Sequence, residues 1–299
     1  MKTCIMYAGQ GSQYEGMGLD ILKLYPESMA LIDEAANILG EDVHAWFHDP
    51  ESLKNTYQTQ LLMVMTQALF DFALKDLQFD AVFGFSLGDM SALRRAGVIN
   101  YQDMLRLTQA RAKAMQHATE VSDGMMAAVV KLTPHVIETI CQERSTPTQF
   151  MMPVNYNAPL QTVISGHKQA FEKVKEALIE AGGKVLPLRV SGAFHTPLMN
   201  THKHLYEDVI DQIEFNQPIK TLFSNVTGHV MTTVKKEDLI QQMTSPVRLT
   251  TIFEQLELLG YTHLIEIGPG NVLSQLANKQ FESIQIQTYQ DASSLEDNV

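Results

Sequence analysis

The chain has 299 residues, 45% of them hydrophobic, and a net charge of −12. That length supports a large core, in one big domain or a domain carrying an insert, and the acidity excludes the basic face of a nucleic-acid binder. Cys4 and Cys141 lie far apart and offer neither metal spacing nor a disulfide framework, the N-terminus has no signal-peptide core, and no apolar run approaches the ~20 residues of a membrane span. A soluble, cytoplasmic protein without a metal or bound cofactor is expected.

Thr3 to Ala8 reads as a first strand that runs into Gly9-Gln10-Gly11-Ser12-Gln13. The dinucleotide-loop spacing fails, because Tyr14 stands where the third glycine belongs. A glycine-flanked Gln10 after a strand instead suits a backbone N–H held beside a neighbouring strand end. Leu19 to Gly40 is largely helical with a break near Pro26, and Thr59 to Leu77 is a longer, very apolar helix. Ala81 to Phe85 reads as a short buried strand, and Asp89 to Arg95 as a helix. Between them lies Gly84-Phe85-Ser86-Leu87-Gly88. Gly-x-Ser-x-Gly between a strand and a helix is a nucleophile elbow. The flanking glycines let strand and helix pass closely, and the hydroxyl is held at a helix N-terminus where N–H groups stabilise an oxyanion. The bare pentapeptide also fits a serine in an ordinary glycine turn.

Asn100 offers an N-cap for a helix to about Thr119 that carries Arg111. Beyond it the pattern changes. Strands are expected at Met125–Leu132, Met151–Asn157, Gln161–Ser165 and Lys184–Val190, with helices at Pro134–Glu143 and His167–Ala181. Strand-helix-strand-strand-helix-strand is a ferredoxin-like order. Residues 124–190 therefore read as an inserted ferredoxin-like α+β domain, and 1–123 with 191–299 as a large α/β-hydrolase-like domain on a parallel sheet. The main body resumes at Ser191-Gly192-Ala193-Phe194-His195-Thr196-Pro197. A helix over Leu198–Glu214, a strand at Thr221–Asn225, helices at Lys236–Met243 and Ile252–Leu259, a strand at His263–Ile267 and a helix at Asn271–Lys279 follow. The polar tail from Asp291 to Val299 is expected to fray.

A serine nucleophile needs a base. Of ten histidines, only His195 sits in a turn just after a strand, where sites collect in α/β folds. Spacing alone leaves its role open.

Four blocks now carry a resemblance. Gly9-Gln10-Gly11-Ser12-Gln13, Gly84-Phe85-Ser86-Leu87-Gly88-Asp89, Gly192-Ala193-Phe194-His195-Thr196-Pro197-Leu198-Met199 and Glu266-Ile267-Gly268-Pro269-Gly270 are similar, in order and spacing, to the signatures of malonyl-CoA:acyl carrier protein transacylases and polyketide acyltransferases. The resemblance covers residues 3 to 280. It implies ping-pong acyl transfer from malonyl-CoA to the phosphopantetheine thiol of an acyl carrier protein. Ser86 would carry the acyl group as an ester, His195 would move the protons, and the N–H groups of Gln10 and Leu87 would form the oxyanion hole. A backbone carbonyl near Pro246-Val247-Arg248, assigned to Arg248, would hold the imidazole.

On the residues alone Arg111 is a surface arginine of an amphipathic helix; the resemblance makes it the cation for a carboxylated acyl group, a task that suits a guanidinium fork. Phe194 resembles the malonyl-selecting form, where its ring fills the space of a 2-methyl branch, although a plain core aromatic reads the same. Asn157 matches a loop that the family places near the cleft, and Gln60 matches a family glutamine before the long apolar helix; either could simply cap a turn. The chain departs from the family at Phe85, where histidine is usual, so an apolar wall replaces a polar group. Asp89 replaces a glutamate and Ala8 a proline.

Two alternatives remain. A proofreading thioesterase would use the same Ser86–His195 pair and give the ester to water. A non-catalytic carrier-docking module would have no need of Ser86, His195, Gln10 and Arg111 together. Carrier proteins are acidic, so docking on this acidic chain calls for a local basic patch, with Lys113, Lys184, Arg189 and Lys203 as candidates. The chain is expected to act as a monomer.

Overall fold

The computed structural model describes residues 1–188, 190 and 192–296. Arg189 and Ser191, with the end of the sixth expected strand and the expected return to the main body, lie partly outside those residues, as does the tail beyond 296. Two sheets organise the chain. The larger takes β1 (Thr3–Tyr7), β2 (Ala81–Gly84), β7 (Thr221–Phe223), β8 (Val230–Met231), β9 (His263–Ile267) and β10 (Gln285–Tyr289), in the order β10-β9-β1-β2-β7-β8. All its pairings are parallel except β7 with β8. The smaller takes β3 (Gly124–Val130), β4 (Met151–Ala158), β5 (Gln161–His167) and β6 (Lys184–Pro187), in the order β4-β5-β3-β6, all antiparallel. This is the strand order of a ferredoxin-like unit.

β1 lies at the centre of the large sheet, with every residue from Thr3 to Tyr7 buried. Its apolar run is what a parallel strand covered on both faces requires. One face packs on helices Thr56–Ala73 and Tyr101–Val121, through Tyr7, Leu61, Val64, Met104 and Leu107. The other packs on helices Leu249–Leu258 and Val272–Gln280, through Cys4, Phe83, Phe253 and Leu276. Both long helices start where an asparagine caps them. Asn55 accepts from Gln58 N–H at 3.1 Å, and Asn100 from Asp103 N–H at 2.8 Å. The small sheet has its own core around Val129, Ile137, Ile164 and Val174.

β4 is stitched to the large body by Val247. Tyr156 N–H donates to Val247 O at 2.9 Å, and Val247 N–H to Val154 O at 2.8 Å. Three sequence expectations change. The single helix over Leu198–Glu214 is a 3₁₀ segment, Pro197–His202, followed by helix His204–Ile210. β10 was not expected, because its residues are only partly buried and alternate poorly. The tail does not simply fray. Ala292–Glu296 forms a turn of helix with Leu295 buried, and Asp20 accepts from Ala292 N–H at 2.7 Å.

Candidate active site

Ser86 follows β2 on a turn with φ +53°, a left-handed conformation that costs a non-glycine residue on the order of 1–2 kcal/mol. The turn forces both flanking glycines. A Cβ on Gly84 would lie 1.9 Å from the Gly88 carbonyl carbon, and one on Gly88 would lie 2.2 Å from Tyr7 O. Strand, turn and the following helix Asp89–Arg95 therefore cross within backbone contact of each other and of β1, as a nucleophile elbow requires. The turn is pinned from outside by Asn225, two residues beyond β7. Its Oδ1 accepts from Ser86 N–H at 2.8 Å, and its Nδ2 donates to Gly84 O at 2.7 Å.

His195 arrives from the far side of the insert, 109 residues on, and its Nε2 stands 2.7 Å from Ser86 Oγ. It too has positive φ, +61°. Such strain collects at functional positions because the surroundings over-determine them. Its Nδ1 lies 2.9 Å from Gln242 O and 3.1 Å from Ser245 O. Two carbonyl acceptors fix the proton on Nδ1, which leaves the Nε2 lone pair facing the serine. Burial pushes the imidazole pKa down to about 4, the Arg111 cation adds to that, and the two carbonyls oppose it. The ring is therefore neutral near neutral pH, the state a base needs.

The carbonyls that hold His195 correct the expectation placed on Arg248. The Arg248 carbonyl accepts from Ile252 N–H at 3.1 Å in the first turn of helix Leu249–Leu258, and its guanidinium lies over the Tyr156 ring at 5.4 Å. The segment Pro246-Val247-Arg248 joins the two sheets, and the carbonyls a few residues earlier meet the imidazole.

Arg111 is 1% exposed, so it is not a surface arginine. Its Nη1 donates to Gln60 Oε1 at 2.7 Å, and its Nη2 to Ser86 Oγ at 3.0 Å and Gln242 Oε1 at 3.3 Å. No carboxylate pairs with it directly, and its Nε has no acceptor among the described residues. Burial lowers its pKa, and Tyr206 and Asp89 oppose that; a guanidinium keeps its charge in proteins regardless.

A cleft of about 210 Å³ opens at the junction of the two sheets, and Gln10, Leu87, Phe85, Phe194 and Asn157 line it together with Ser86, His195 and Arg111. The Gln10 loop runs hard against the elbow. A Cβ on Gly9 would lie 2.4 Å from Phe85 O. Gln67 holds that loop by donating to Ala8 O at 2.7 Å while accepting from Ser91 Oγ. Phe85 and Phe194 give the cleft apolar walls, and Asn157 Oδ1 is buried in it without a partner among the described residues. Gln60 lies behind Arg111, outside the lining, and is a partner of the cation.

Gln242 and Asn225 are the residues that sequence reasoning missed. Gln242 sits within the helix Lys236–Thr244, which carries no motif, whereas Asn225 follows β7 by two residues, a position that could have raised it. Of the proposed docking lysines, Lys203 is paired with Glu207 at 3.1 Å and Lys113 lies over the Tyr57 ring at 5.7 Å, while Lys184 is exposed on β6. Arg189 lies outside the described residues. Among the described residues no cluster of three metal-ligating side chains occurs, and no helix is long and apolar enough to cross a membrane.

The acyl transferase domain family matches residues 5–298 of this chain. Malonyl CoA-acyl carrier protein transacylase of Staphylococcus aureus (strain COL) is 34% identical over 305 residues, covering 99% of each chain. The protein of the same name from Bacillus subtilis (strain 168) is 34% identical over 285 residues, covering 93% of this chain and 90% of the relative. Among solved structures, the malonyl CoA-acyl carrier protein transacylase from Clostridium perfringens superposes with a TM-score of 0.93 at 33% identity, covering 100% of this chain and 96% of that one. A malonyl-transacylase solved in complex with a type II polyketide synthase acyl-carrier protein gives a TM-score of 0.93 at 32% identity, covering 99% and 98%. With the elbow, the paired imidazole and the buried guanidinium all present on this fold, the chain belongs to the acyl transferase family, among the malonyl CoA-acyl carrier protein transacylases.

Proposed function

We propose that this protein moves a malonyl group from malonyl-CoA to the phosphopantetheine thiol of an acyl carrier protein, through an ester on Ser86. The observation that carries the reading is the buried Arg111, which has no carboxylate partner among the described residues and donates to the nucleophile's own oxygen at 3.0 Å. A cation at that depth is costly unless an anion joins it. A malonyl carboxylate supplies that anion, two carbons from the carbonyl under attack, and guanidinium forks suit carboxylates.

In the first half-reaction Ser86 gives its proton to His195 Nε2 as its oxygen bonds to the thioester carbon. The N–H groups of Gln10 and Leu87 take the oxyanion. The intermediate collapses, the C–S bond breaks, and His195 returns the proton to the departing CoA thiolate. In the second, the carrier's thiol gives its proton to His195, its sulfur attacks the ester, and Ser86 oxygen leaves with that proton. The balance is malonyl-CoA plus carrier thiol to malonyl-carrier plus CoA. Phe194 and Phe85 form the apolar walls against which the acyl unit packs, and Asn157 offers an acceptor at the cleft. The apolar Phe85 wall would suit a thioesterase handling uncharged chains, but such an enzyme would have no use for the buried guanidinium.

Intact mass after mixing with malonyl-CoA tests the reading. A stable malonyl adduct, absent in Ser86→Ala and discharged by a phosphopantetheinylated carrier, is expected. Rapid loss of the adduct to water without a carrier, or an equal yield with acetyl-CoA, would overturn it.

A further inference from the structure

Asp89 opens the helix after the elbow, yet it lines neither the cleft nor any contact with Ser86 Oγ or His195. It lines instead a separate small cavity of about 30 Å³ behind the nucleophile, shared with Asn225 and Gln242. Its Oδ1 accepts from Asn225 Nδ2 at 2.7 Å, and its Oδ2 from Gln242 Nε2 at 3.0 Å. Two carboxamides are thereby oriented by one carboxylate. Each amide has one accepting and one donating end. With their NH₂ ends held on Asp89, Asn225 Oδ1 must face Ser86 N–H and Gln242 Oε1 must face Arg111 Nη2. Gln242 Nε2 also donates to Ser86 O, and its main-chain carbonyl meets His195 Nδ1.

We propose that Asp89 is a positioning residue which fixes the orientation of the Gln242 and Asn225 amides, and through Gln242 holds Arg111 ready for the carboxylate of the acyl donor. The proposal rests on the malonyl-transfer reading and names a further determinant of that site's selectivity. The physical core is donor–acceptor matching. Burial raises the Asp89 pKa to about 7, opposed first by the Gln242 bond and then by the Arg111 charge, so acylation is read above that pH, where the carboxylate is ionised, only accepts and never competes with the two NH₂ groups. An asparagine at this position must aim an NH₂ at one of them. The cheapest relief is a flip of Gln242 or Asn225. A flipped Gln242 turns NH₂ toward a guanidinium that can only donate, which pushes Arg111 off its position. A flipped Asn225 turns NH₂ toward Ser86 N–H and disturbs the elbow for any acyl donor. Only the Gln242 path discriminates donors by charge.

The test is single-turnover acylation of the full chain, followed by intact mass, with malonyl-CoA and with acetyl-CoA. Asp89→Asn is expected to lower the second-order constant for malonyl-CoA about tenfold more than that for acetyl-CoA, the effect of one charge-assisted hydrogen bond. Asp89→Glu, which keeps an accept-only group, is expected to restore the malonyl-to-acetyl ratio to within about threefold. In a Gln242→Met background, Asp89→Asn should leave the ratio unchanged, because the intermediary is gone. Equal losses for both donors, or an unchanged ratio, overturn the inference while leaving malonyl transfer intact. A wild-type protein that takes no malonyl overturns the functional reading and the inference with it. Should Asp89→Asn fail to fold, Gln242→Met alone decides: it must itself lower the malonyl-to-acetyl ratio, and an unaltered ratio there refutes the proposal.

Discussion

The guanidinium of Arg111 donates to the hydroxyl of Ser86 at 3.0 Å, on the same oxygen that His195 Nε2 meets at 2.7 Å. A substrate carboxylate that took this bond would leave the serine oxygen free for attack, which would make substrate binding and nucleophile release one event. Selectivity and reactivity then share a residue.

Replacing Arg111 tests that coupling directly. Arg111→Met is expected to cost malonyl-CoA acylation about 10–100-fold or more, the scale of one or two hydrogen bonds to a charged group, while acetyl-CoA acylation falls much less. Arg111→Lys should rescue little, since an ammonium keeps the charge and loses the fork that spans Gln60, Ser86 and the ligand. Rates with the two donors, measured side by side, check this; parallel losses would argue that Arg111 only supports the fold.

The pH dependence follows from the depressed imidazole. An ordinary histidine protonates near 6.5, but His195 stays neutral down to about 4, because burial and the Arg111 charge both disfavour its cation. The acid limb that His195 contributes to acylation by dilute malonyl-CoA, which reports the free protein, should therefore lie well below pH 6.5, separate from the limb near 7 that the buried Asp89 carboxyl contributes. At saturating malonyl-CoA the bound carboxylate offsets the Arg111 charge, so the limb should move to higher pH. Arg111→Met should raise the free-protein limb in the same direction. Limbs that coincide near 6.5 under all three conditions would contradict this account.

The elbow makes an unusual stability prediction. Ser86 sits at φ +53°, where glycine is at ease and alanine is not. Ser86→Gly should therefore be more stable than Ser86→Ala by about 1 kcal/mol, the reverse of the order in a helix. Gly88→Ala should destabilise by about 3 kcal/mol or more, or prevent folding, because its Cβ would enter Tyr7 O at 2.2 Å. Denaturant midpoints of the three variants decide the matter.

One wall of the cleft depends on a buried acid. Glu266, at the end of β9, accepts from the N–H groups of Leu273 at 2.9 Å and Ser274 at 2.7 Å, at the start of helix Val272–Gln280. Val272 and Leu273 line the cleft. Burial raises the Glu266 pKa, and the bonds from Ser274 and Leu273 oppose that. Glu266→Ala should lose about 1–3 kcal/mol and loosen that wall, which hydrogen exchange at residues 272–276 would register against an unchanged Ser86 elbow.

The local chemistry was readable in the chain. Gly-x-Ser-x-Gly between an apolar run and a helix carries its own steric reason, and the helix that Asn100 caps announces itself through spacing and cap, the one that Asn55 caps through its apolar run alone. The order of strands and helices in residues 124–187 likewise followed from alternation and turn residues, and the sheet order agrees with it. Elements whose burial is partial were not readable. β10 lacks a clear pattern, and Pro197–Ile210 breaks where nothing in its apolar spacing demands it. Leu295 pulls a polar tail back onto the body through a single buried side chain.

The sequence by itself determined which groups exist: one serine on a forced bend, a histidine after a glycine turn, an arginine on a long helix. Tertiary structure decided what each of them is. Arg111 became a buried cation because its helix packs its face toward the elbow, and His195 became a neutral base because carbonyls at Gln242 and Ser245, not Arg248, meet its Nδ1. Main-chain carbonyls carry no signature in the residue letters, and an amide such as Gln242 looks like any surface glutamine until a carboxylate 153 positions away fixes which end it presents.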